Sequence, residues 1–196
     1  MTETSVERAT ACLVGRAKTA LPVETLVQGD FDAWGRKQGA ALRDWLKTTG
    51  FRARPGQVTF LQAGEARVLA GIEAPDDPWS YAELAEKLPG GVYRLAGELD
   101  ARSAGAAALG WALGCYDFAR YRKPRAELPR LIWPKAADKA AVTAAAEAVT
   151  LVRDLVNIPA NDLGPATRSP PARASAWSSA ARKRVGVGKS VDLGGR

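Results

Sequence analysis

The sequence predicts an α/β layered domain over residues 10 to 135. Segments with the alternating pattern of strands are interspersed with segments of helical periodicity, and this order is typical of a sheet flanked by helices. Hydrophobic residues make up 46% of the 196-residue chain, enough to build a core for one domain. The longest helical segment is apolar on two sides, as expected of a helix buried between layers.

The first helical segment follows Asp30, which we interpret as its N-cap. It ends at Gly50, which we interpret as the residue just after the C-terminus of the helix. Apolar and aromatic residues recur between them at helical spacing, so we expect one helix here. The residues of this stripe are Trp34, Gln38, Ala41, Leu42, Trp45 and Leu46.

A β-hairpin and a short helix come next. Val58 and Phe60 alternate with polar neighbours, residues 63–65 form a turn, and Arg67 to Ile72 form the second strand. After a loop at residues 75–78, Ser80 and Glu83 have the spacing of a capping box. The helix that they predict carries Tyr81, Leu84 and Leu88 on one face, ends at Pro89-Gly90 and precedes the strand candidate "VYRLAGEL".

Residues 101 to 122 give the strongest helix prediction in the chain. Gly110 and Gly114 lie one turn apart, so another backbone is expected to approach closely at that face. A short strand is predicted at "LIWP" downstream. One apolar stripe of the helix contains Ala106, Leu109, Leu113 and Tyr116, and the second contains Trp111, Cys115 and Phe118.

A last helix is predicted over residues 136 to 156, and we expect it to lead the chain away from the α/β domain. It stops before Pro159, because the residue preceding a proline disfavours the helical conformation. The turn-forming side chains of Asn157, Asn161 and Asp162 follow, which by themselves indicate a helix stop and a linker. The expected apolar face contains Ala141, Ala145, Ala148, Val152 and Leu155.

Charge and residue usage exclude several functional classes. The formal net charge is +7, but residues 166 to 196 hold seven of the 28 Lys and Arg residues and one of the 21 acids, so the remainder is nearly neutral. The chain has no histidine, which excludes a Ser-His-Asp triad and a His-based zinc site within it. Cys12 and Cys115 lack CxxC spacing and indicate a reduced compartment.

Neither terminal region carries a convincing functional motif. The N-terminus has acids early and only a short apolar patch, so it is not a signal peptide. Residues 104 to 116 are too short to span a membrane, and a soluble cytoplasmic protein is expected. In "GVGKS" (186–190) the first glycine of a phosphate loop would fall on Lys183, so we interpret the string as chance. "ARKR" (181–184) has only Trp177 nearby for stacking, which favours a solvated tail over nucleic acid binding.

Residues 153–165, "RDLVNIPANDLGP", closely resemble the segment that opens the catalytic domain of the leucyl aminopeptidase family, the M17 peptidases. "ALGWALGCYDFARYR" (108–122) resembles a helix of that family, and residues 72–100 resemble the N-terminal domain of its shorter bacterial members. The resemblance covers roughly residues 25 to 166 and implies a macro-domain-like mixed sheet flanked by helices. It places the N-terminal domain at residues 1–135, and a linking helix with the start of the catalytic domain at residues 136–166.

The resemblance also implies a function for the full-length family, which is the release of N-terminal amino acids from peptides by two divalent metals, zinc or manganese, in a cytoplasmic homo-hexamer. The family signature "NTDAEGR" is absent here. "GKSVDLGGR" only partly matches the other metal signature, because Lys189 and Asp192 are three residues apart instead of five. We therefore assign no catalytic, cofactor-binding or metal-binding residue and expect the chain alone to be inactive and without a cofactor.

Two further interpretations stay open. The chain could instead be a binding module that holds a nucleotide in its macro-like domain or nucleic acid at its tail. However, the nearest glycine-rich loop, "PGGVY" at 89–93, precedes its strand instead of following it. Residues 167–196 are expected to be a disordered basic tail, and the sudden loss of apolar periodicity near Ala166 predicts a shifted reading frame, with a natural basic tail as the alternative.

Overall fold

The computed structural model describes residues 5–61, 66–159 and 162. The chain divides into two compact units, Met1–Asn157 and Ile158–Arg196, and the second has only three described residues. The strands are β1 (Leu13–Val14), β2 (Leu21–Val27), β3 (Val58–Leu61), β4 (Arg67–Ile72), β5 (Gly91–Leu95) and β6 (Pro129–Ile132). The helices are α1 (Ser5–Ala11), α2 (Phe31–Arg36), α3 (Ala40–Thr49), α4 (Pro78–Lys87), α5 (Ala101–Gly114) and α6 (Lys139–Asn157).

The strands of the first unit form one mixed sheet in the order β1-β6-β5-β2-β4-β3. All neighbouring strands pair in parallel except β3, which pairs antiparallel with β4 at one edge. This arrangement confirms the predicted α/β sheet flanked by helices and the pairing of the predicted hairpin strands. The short strand predicted at "LIWP" exists as β6, but β6 begins at Pro129 and includes only the first two residues of that string. The predicted turn at residues 63–65 lies outside the described residues, as do the predictions for residues 167–196.

Both faces of the sheet are covered by apolar side chains. Val68 belongs to a large cluster that contains Trp111 of α5, whereas Leu69 belongs to a second cluster that contains Phe31 and Leu46. Successive side chains of a strand point to opposite faces. The two clusters therefore lie on opposite sides of β4, with α4 and α5 on one side and α2 and α3 on the other.

The helix expected between Asp30 and Gly50 is two helices. Asp30 is the N-cap residue of α2, as predicted, but it belongs to a 3-10 turn, has helical backbone angles and makes no capping hydrogen bond with its side chain. Between α2 and α3 the chain turns at Gly39, which is extended with φ −64° and ψ 157°. A glycine has low helix propensity, which permits the break. Gly50 does end α3, in the left-handed conformation at φ 68°.

The N-cap of helix α4 lies three residues before the predicted one, Ser80. Its N-cap is Asp77, which accepts hydrogen bonds from the backbone N–H of Trp79 (3.2 Å) and Ser80 (2.9 Å). Pro78 occupies the first turn, where its missing N–H leaves no donor unsatisfied. Glu83 pairs instead with Lys87 at 2.7 Å, so the prediction that Ser80 and Glu83 form the cap is wrong.

Helix α5 ends at Gly114, eight residues before the predicted terminus. Beyond it, the buried carboxylate of Asp117 accepts hydrogen bonds from the side chains of Arg8 and Arg122, and these bonds hold the chain in an irregular loop. The close approach predicted at Gly110 and Gly114 is confirmed. A Cβ atom at either position would overlap a backbone carbonyl group of α4.

Helix α6 packs on α1 and α5 by a different face from the one that the sequence indicates. Its buried residues are Val142, Ala146 and Thr150, while Ala148 is exposed and Val152 is 58% exposed. The guanidinium of Arg153 donates to the carbonyl oxygen of Leu113 at the end of α5 (2.9 Å). The helix ends before Ile158-Pro159, as predicted, while the division of the chain at residue 135 stays a prediction.

Candidate functional site

The ends of β5 and β6 form the cavity with the best position for a ligand. The cavity has a volume of about 480 Å³ and is lined by Arg94 and Leu95 of β5 and by Trp133 and Lys135 after β6. Ligands of open α/β sheets bind outside the carboxyl ends of the strands, near the point where the strand order reverses. Here the order reverses between β2 and β5, so the cavity lies one strand away from that point.

The chemistry of this cavity is mixed. Arg94 and Lys135 supply positive charge, but Glu98 lies in the same lining. The ammonium of Lys139 lies 5.7 Å from the ring centroid of Trp133 and thus occupies one face of the indole. The cavity therefore has an aromatic wall and cationic groups, without a matched set of donors for a phosphate.

The two helices that begin near the carboxyl edge of the sheet already have anions at their N-termini. The side chain of Asp100 accepts hydrogen bonds from the backbone N–H of Arg102 (2.8 Å) and Ser103 (3.0 Å) at the start of α5, and Asp77 fills the same position in α4. Backbone N–H groups at a helix start are the usual donors to a bound phosphate. Because a carboxylate occupies both starts, neither offers its first amides to a nucleotide.

The pKa values of the two capping carboxylates reflect these bonds. Hydrogen bonds from the backbone and hydroxyl of Ser103 are the main cause that lowers the pKa of Asp100. For Asp77, desolvation raises the pKa, but the hydrogen bonds from Ser80 and Trp79 together lower it below its ordinary value. Both groups are therefore ionised at neutral pH and compete with any anionic ligand.

The glycine-rich stretch "PGGVY" lies at the amino end of β5, on the opposite side of the sheet from the carboxyl ends that line the cavity. Gly91 is the first residue of β5, so the stretch precedes its strand, as the sequence indicates. The side chain of Glu127 fills the space beside Gly90, where a Cβ atom would meet it. A carboxylate in this position counts against phosphate binding by the backbone N–H groups of this stretch.

The two cysteines meet in the core, which their sequence positions do not reveal. Both are free and buried, and a hydrogen bond with Cys115 is the main cause that raises the pKa of the Cys12 thiol. The Cys12 thiol also donates to the carbonyl oxygen of Ala9 at 2.7 Å. A thiol with a raised pKa is a poor nucleophile, so this pair is structural.

The C-terminal end of α6 is tied to the residues after α5 by polar contacts. The hydroxyl of Tyr116 donates to Asp154 at 2.8 Å and accepts from the amide of Asn157 at 3.0 Å. Burial is the main cause that raises the pKa of Tyr116 to about 12, so this phenol is neutral and does not act as a base at neutral pH. In the second unit, the N–H of Asp162 donates to the carbonyl oxygen of Pro159, whereas Asn161 lies outside the described residues.

No described residues form a group of three or more His, Cys, Asp and Glu side chains that would hold a metal ion. The tail candidates considered from the sequence, namely Lys189, Asp192, residues 181–184 and residues 186–190, lie outside the described residues. Within the described ranges, none of the helices has the length and apolar character needed to cross a membrane.

The cavity residues could not be found from a motif. Arg94 and Trp133 are 39 positions apart and come together only because β5 and β6 are neighbours in the sheet. The sequence indicates these positions only indirectly. Arg94 lies near the end of β5, and Trp133 directly follows β6. Parallel pairing of those strands then brings their carboxyl ends to one edge.

Comparisons with known proteins point to one family. Residues 21–134 match the family model described as M17 aminopeptidase, N-terminal domain. A solved structure of cytosol aminopeptidase from Coxiella burnetii is similar, with a TM-score of 0.67 and 29% sequence identity. The similarity covers 80% of this chain and 35% of that chain, so the present sequence spans about a third of that protein. No curated protein sequence matches the chain.

Proposed function

Because the chain belongs to the M17 aminopeptidase family through its N-terminal domain, we propose that it is the non-catalytic N-terminal portion of a leucyl aminopeptidase and does not hydrolyse peptides by itself. The observation that carries this proposal is the match of residues 21–134 to the N-terminal domain alone. In the complete protein, the activity is the release of N-terminal amino acids from peptides in the cytoplasm.

The arrangement of the chain follows from the same proposal. Residues 1–135 form the N-terminal domain, and residues 136–166 form the linking helix and the start of the catalytic domain. The complete protein assembles as a homo-hexamer and holds two zinc or manganese ions in its catalytic domain. Those metals supply an activated water and polarise the peptide carbonyl.

The lack of activity has a chemical reason. Hydrolysis of an amide at neutral pH needs an activated nucleophile and a group that stabilises the oxyanion. The sequence has neither a histidine nor the "NTDAEGR" signature. Among the described carboxylates, Asp77, Asp100 and Asp117 are engaged in helix caps or ion pairs, so none of these is an available base.

A peptidase assay tests the proposal directly. Purified chain is incubated with a leucine anilide and either zinc or manganese, and a complete cytosol aminopeptidase serves as the positive control. We expect no metal-dependent turnover. Turnover that follows the chain through successive purification steps, and disappears in a Lys189→Ala variant, would mean that the tail builds a metal site and that the proposal is wrong.

A nucleotide-binding module is the second candidate, and the cavity beside Trp133 is the observation that favours it. The capped starts of α4 and α5 and the presence of Glu98 count against it. Titration with ADP-ribose and with duplex DNA, at moderate salt, separates the two candidates. We expect no saturable binding. Saturable, salt-resistant binding that is lost in Trp133→Ala but retained in Trp79→Ala, which changes an exposed tryptophan elsewhere, would support the module.

The origin of the tail is a separate proposal. We infer that the reading frame shifts near Ala166, because apolar periodicity ends there and basic residues accumulate. The encoding DNA, translated in the other two frames beyond codon 166, is expected to continue with a helical pattern and reach an "NTDAEGR"-like string. Stop codons in both frames within a few dozen codons would instead favour a natural basic tail.

A further inference from the structure

A pocket at the amino ends of β5 and β6 contains more positive than negative charge. It has a volume of about 400 Å³, and its lining includes Arg8, Arg125 and Arg130 with Glu127 as the acidic residue. The pocket lies at the opposite edge of the sheet from the cavity beside Trp133. It is therefore independent of the nucleotide-binding alternative and of the aminopeptidase assignment.

Asp117, the buried carboxylate closest in the network to this pocket, already accepts hydrogen bonds from three donors. Asp117 is only 1% exposed and accepts from the guanidinium of Arg8 (3.3 Å), from that of Arg122 (2.7 Å) and from the backbone N–H of Arg125 (2.7 Å). Arg8 also donates to the carbonyl oxygen of Arg125 at 3.0 Å. This network fixes the loop between α5 and β6 to α1 and brings the side chains of Arg8 and Arg125 to the same pocket.

The guanidinium of Arg125 takes no part in this network. Its Nε and Nη2 atoms are buried and have no hydrogen-bond partner among the described residues, and the same holds for Nε of Arg8. Burying a charged donor without an acceptor is costly, and such donors in native proteins are normally satisfied by protein, water or a bound ion. These buried guanidinium nitrogens therefore have no anionic acceptor among the described residues, even though Glu127 lines the same pocket.

We propose that this pocket binds a small oxyanion, a phosphate or a carboxylate group, through Arg125 and Arg8, with Arg130 at its rim. A guanidinium presents its donors in a planar fork that matches two oxygens of such an anion. The carboxylate of Glu127 repels a bound anion, and it forms no ion pair within the described part of the chain. It therefore competes weakly with the anion for the arginine side chains of the pocket. The bound anion also links the loop that carries Arg125 to α1.

Thermal unfolding of the full chain tests the proposal with inorganic phosphate and with malonate, at an ionic strength held constant with sodium chloride. A ligand that binds only the folded state raises the melting temperature with saturation, and the titration gives its dissociation constant. We expect Arg125→Gln to weaken binding at least about tenfold, because it removes the fork and the charge. Its backbone N–H to Asp117 remains, so the loop is expected to stay in place.

Three matched variants complete the test. Arg16→Gln removes the same charge from an exposed residue outside the pocket and is expected to bind as the unaltered chain does. Glu127→Gln removes the competing carboxylate and is expected to bind several-fold more tightly. Arg125→Lys keeps the charge without the fork and is expected to lie between the unaltered chain and Arg125→Gln.

The outcomes separate the sources of the anion and can reject the site. Saturation with phosphate alone identifies a phosphate-bearing ligand, and saturation with malonate alone identifies a carboxylate. The proposal is overturned if neither anion stabilises the chain beyond sodium chloride, or if Arg125→Gln and Arg16→Gln respond equally. An unchanged affinity in Glu127→Gln would also contradict binding in this pocket. This result does not depend on a variant that could lose its fold.

Discussion

Helices α5 and α6 are both rich in alanine, yet most of α5 is buried and most of α6 is not. Nine of the 14 residues of α5 are buried, whereas in α6 only Val142, Ala146 and Thr150 are buried among 19 residues. Alanine gives a high helix propensity to both segments, so composition explains that they form but not how they pack. The difference comes from the neighbours that each helix meets.

Helix α5 packs against the sheet and against α4, which lies beside it on the same side of the sheet. The indole N–H of Trp111 donates to the carbonyl oxygen of Pro129 on β6 at 3.0 Å, and the Trp111 ring lies 5.8 Å from that of Tyr93. On the adjacent face, Gly110 and Gly114 allow the α4 backbone to come within contact distance. Small residues on one face and a large aromatic residue on the next face therefore account for much of the burial of this helix.

Helix α6 packs along one narrow stripe and leaves larger side chains in solvent. Val152 and Val156 are 58% and 78% exposed, although they are bulkier than the buried Ala146. This stripe is buried because it faces α1 and the end of α5. Polar contacts fix that orientation, from Arg153 to the carbonyl oxygen of Leu113 and from the hydroxyl of Tyr116 to Asp154. Hydrophobicity alone thus identifies the wrong face of this helix.

The largest expected effect breaks the close contact between α4 and α5. Gly110→Ala places a methyl group into the Pro78 carbonyl, and because both backbones would have to move, we expect a loss of about 3 kcal/mol in the free energy of unfolding. Gly105→Ala in the same helix meets nothing within 4 Å and should stabilise the chain by up to about 1 kcal/mol, through helix propensity. Urea denaturation of both variants measures the difference.

Equal stabilities for Gly110→Ala and Gly105→Ala would show that α4 does not pack against α5 as described. The same variants also show whether the substitution reduces only the free energy of unfolding or changes the fold itself. If Gly110→Ala unfolds at lower urea with an unchanged slope, the fold is retained and only its stability is reduced.

Much of the fold could be predicted because local chemistry and tertiary packing agree there. The hairpin, the glycine face of α5 and the stop before Pro159 each depend on residues within a few positions. The errors arise where the local structure depends on a residue that is far away in the sequence. Asp117 ends α5 early because Arg8, from the start of the chain, pairs with it, and the pockets combine residues from strands that are far apart in sequence.

The second prediction sharpens the comparison within α6. Val142→Ala removes two buried methyl groups and should cost about 2 kcal/mol, because the space between α6 and its neighbours cannot fully close. Val152→Ala changes an exposed residue of the same type and helix, and its effect should stay within about 0.5 kcal/mol. Thermal or urea unfolding of the pair provides the measurement. A larger loss for Val152→Ala would mean that the apolar face indicated by the sequence is the packed one.

The smallest effect concerns the starts of the two helices. Asp100 accepts from two backbone N–H groups and from the Ser103 hydroxyl. Among the described residues, the side chain of Asp138 accepts only from the N–H of Ala141, at 3.1 Å. Asp100→Ala should therefore destabilise the chain more than Asp138→Ala at pH 6.

The pH dependence of this effect has a definite sign. Hydrogen bonds from Ser103 lower the folded-state pKa of Asp100 below its ordinary value of 3.8, so the ionised carboxylate favours the folded state. That contribution is complete above the unfolded-state pKa and is lost as the pH falls through the lower, folded-state pKa. The stability gap between the unaltered chain and Asp100→Ala should thus narrow when urea denaturation is repeated at decreasing pH below about 4. A gap that stays constant on acidification would show that α5 does not depend on a charged cap, and its stability would then come from burial between α4 and the sheet alone.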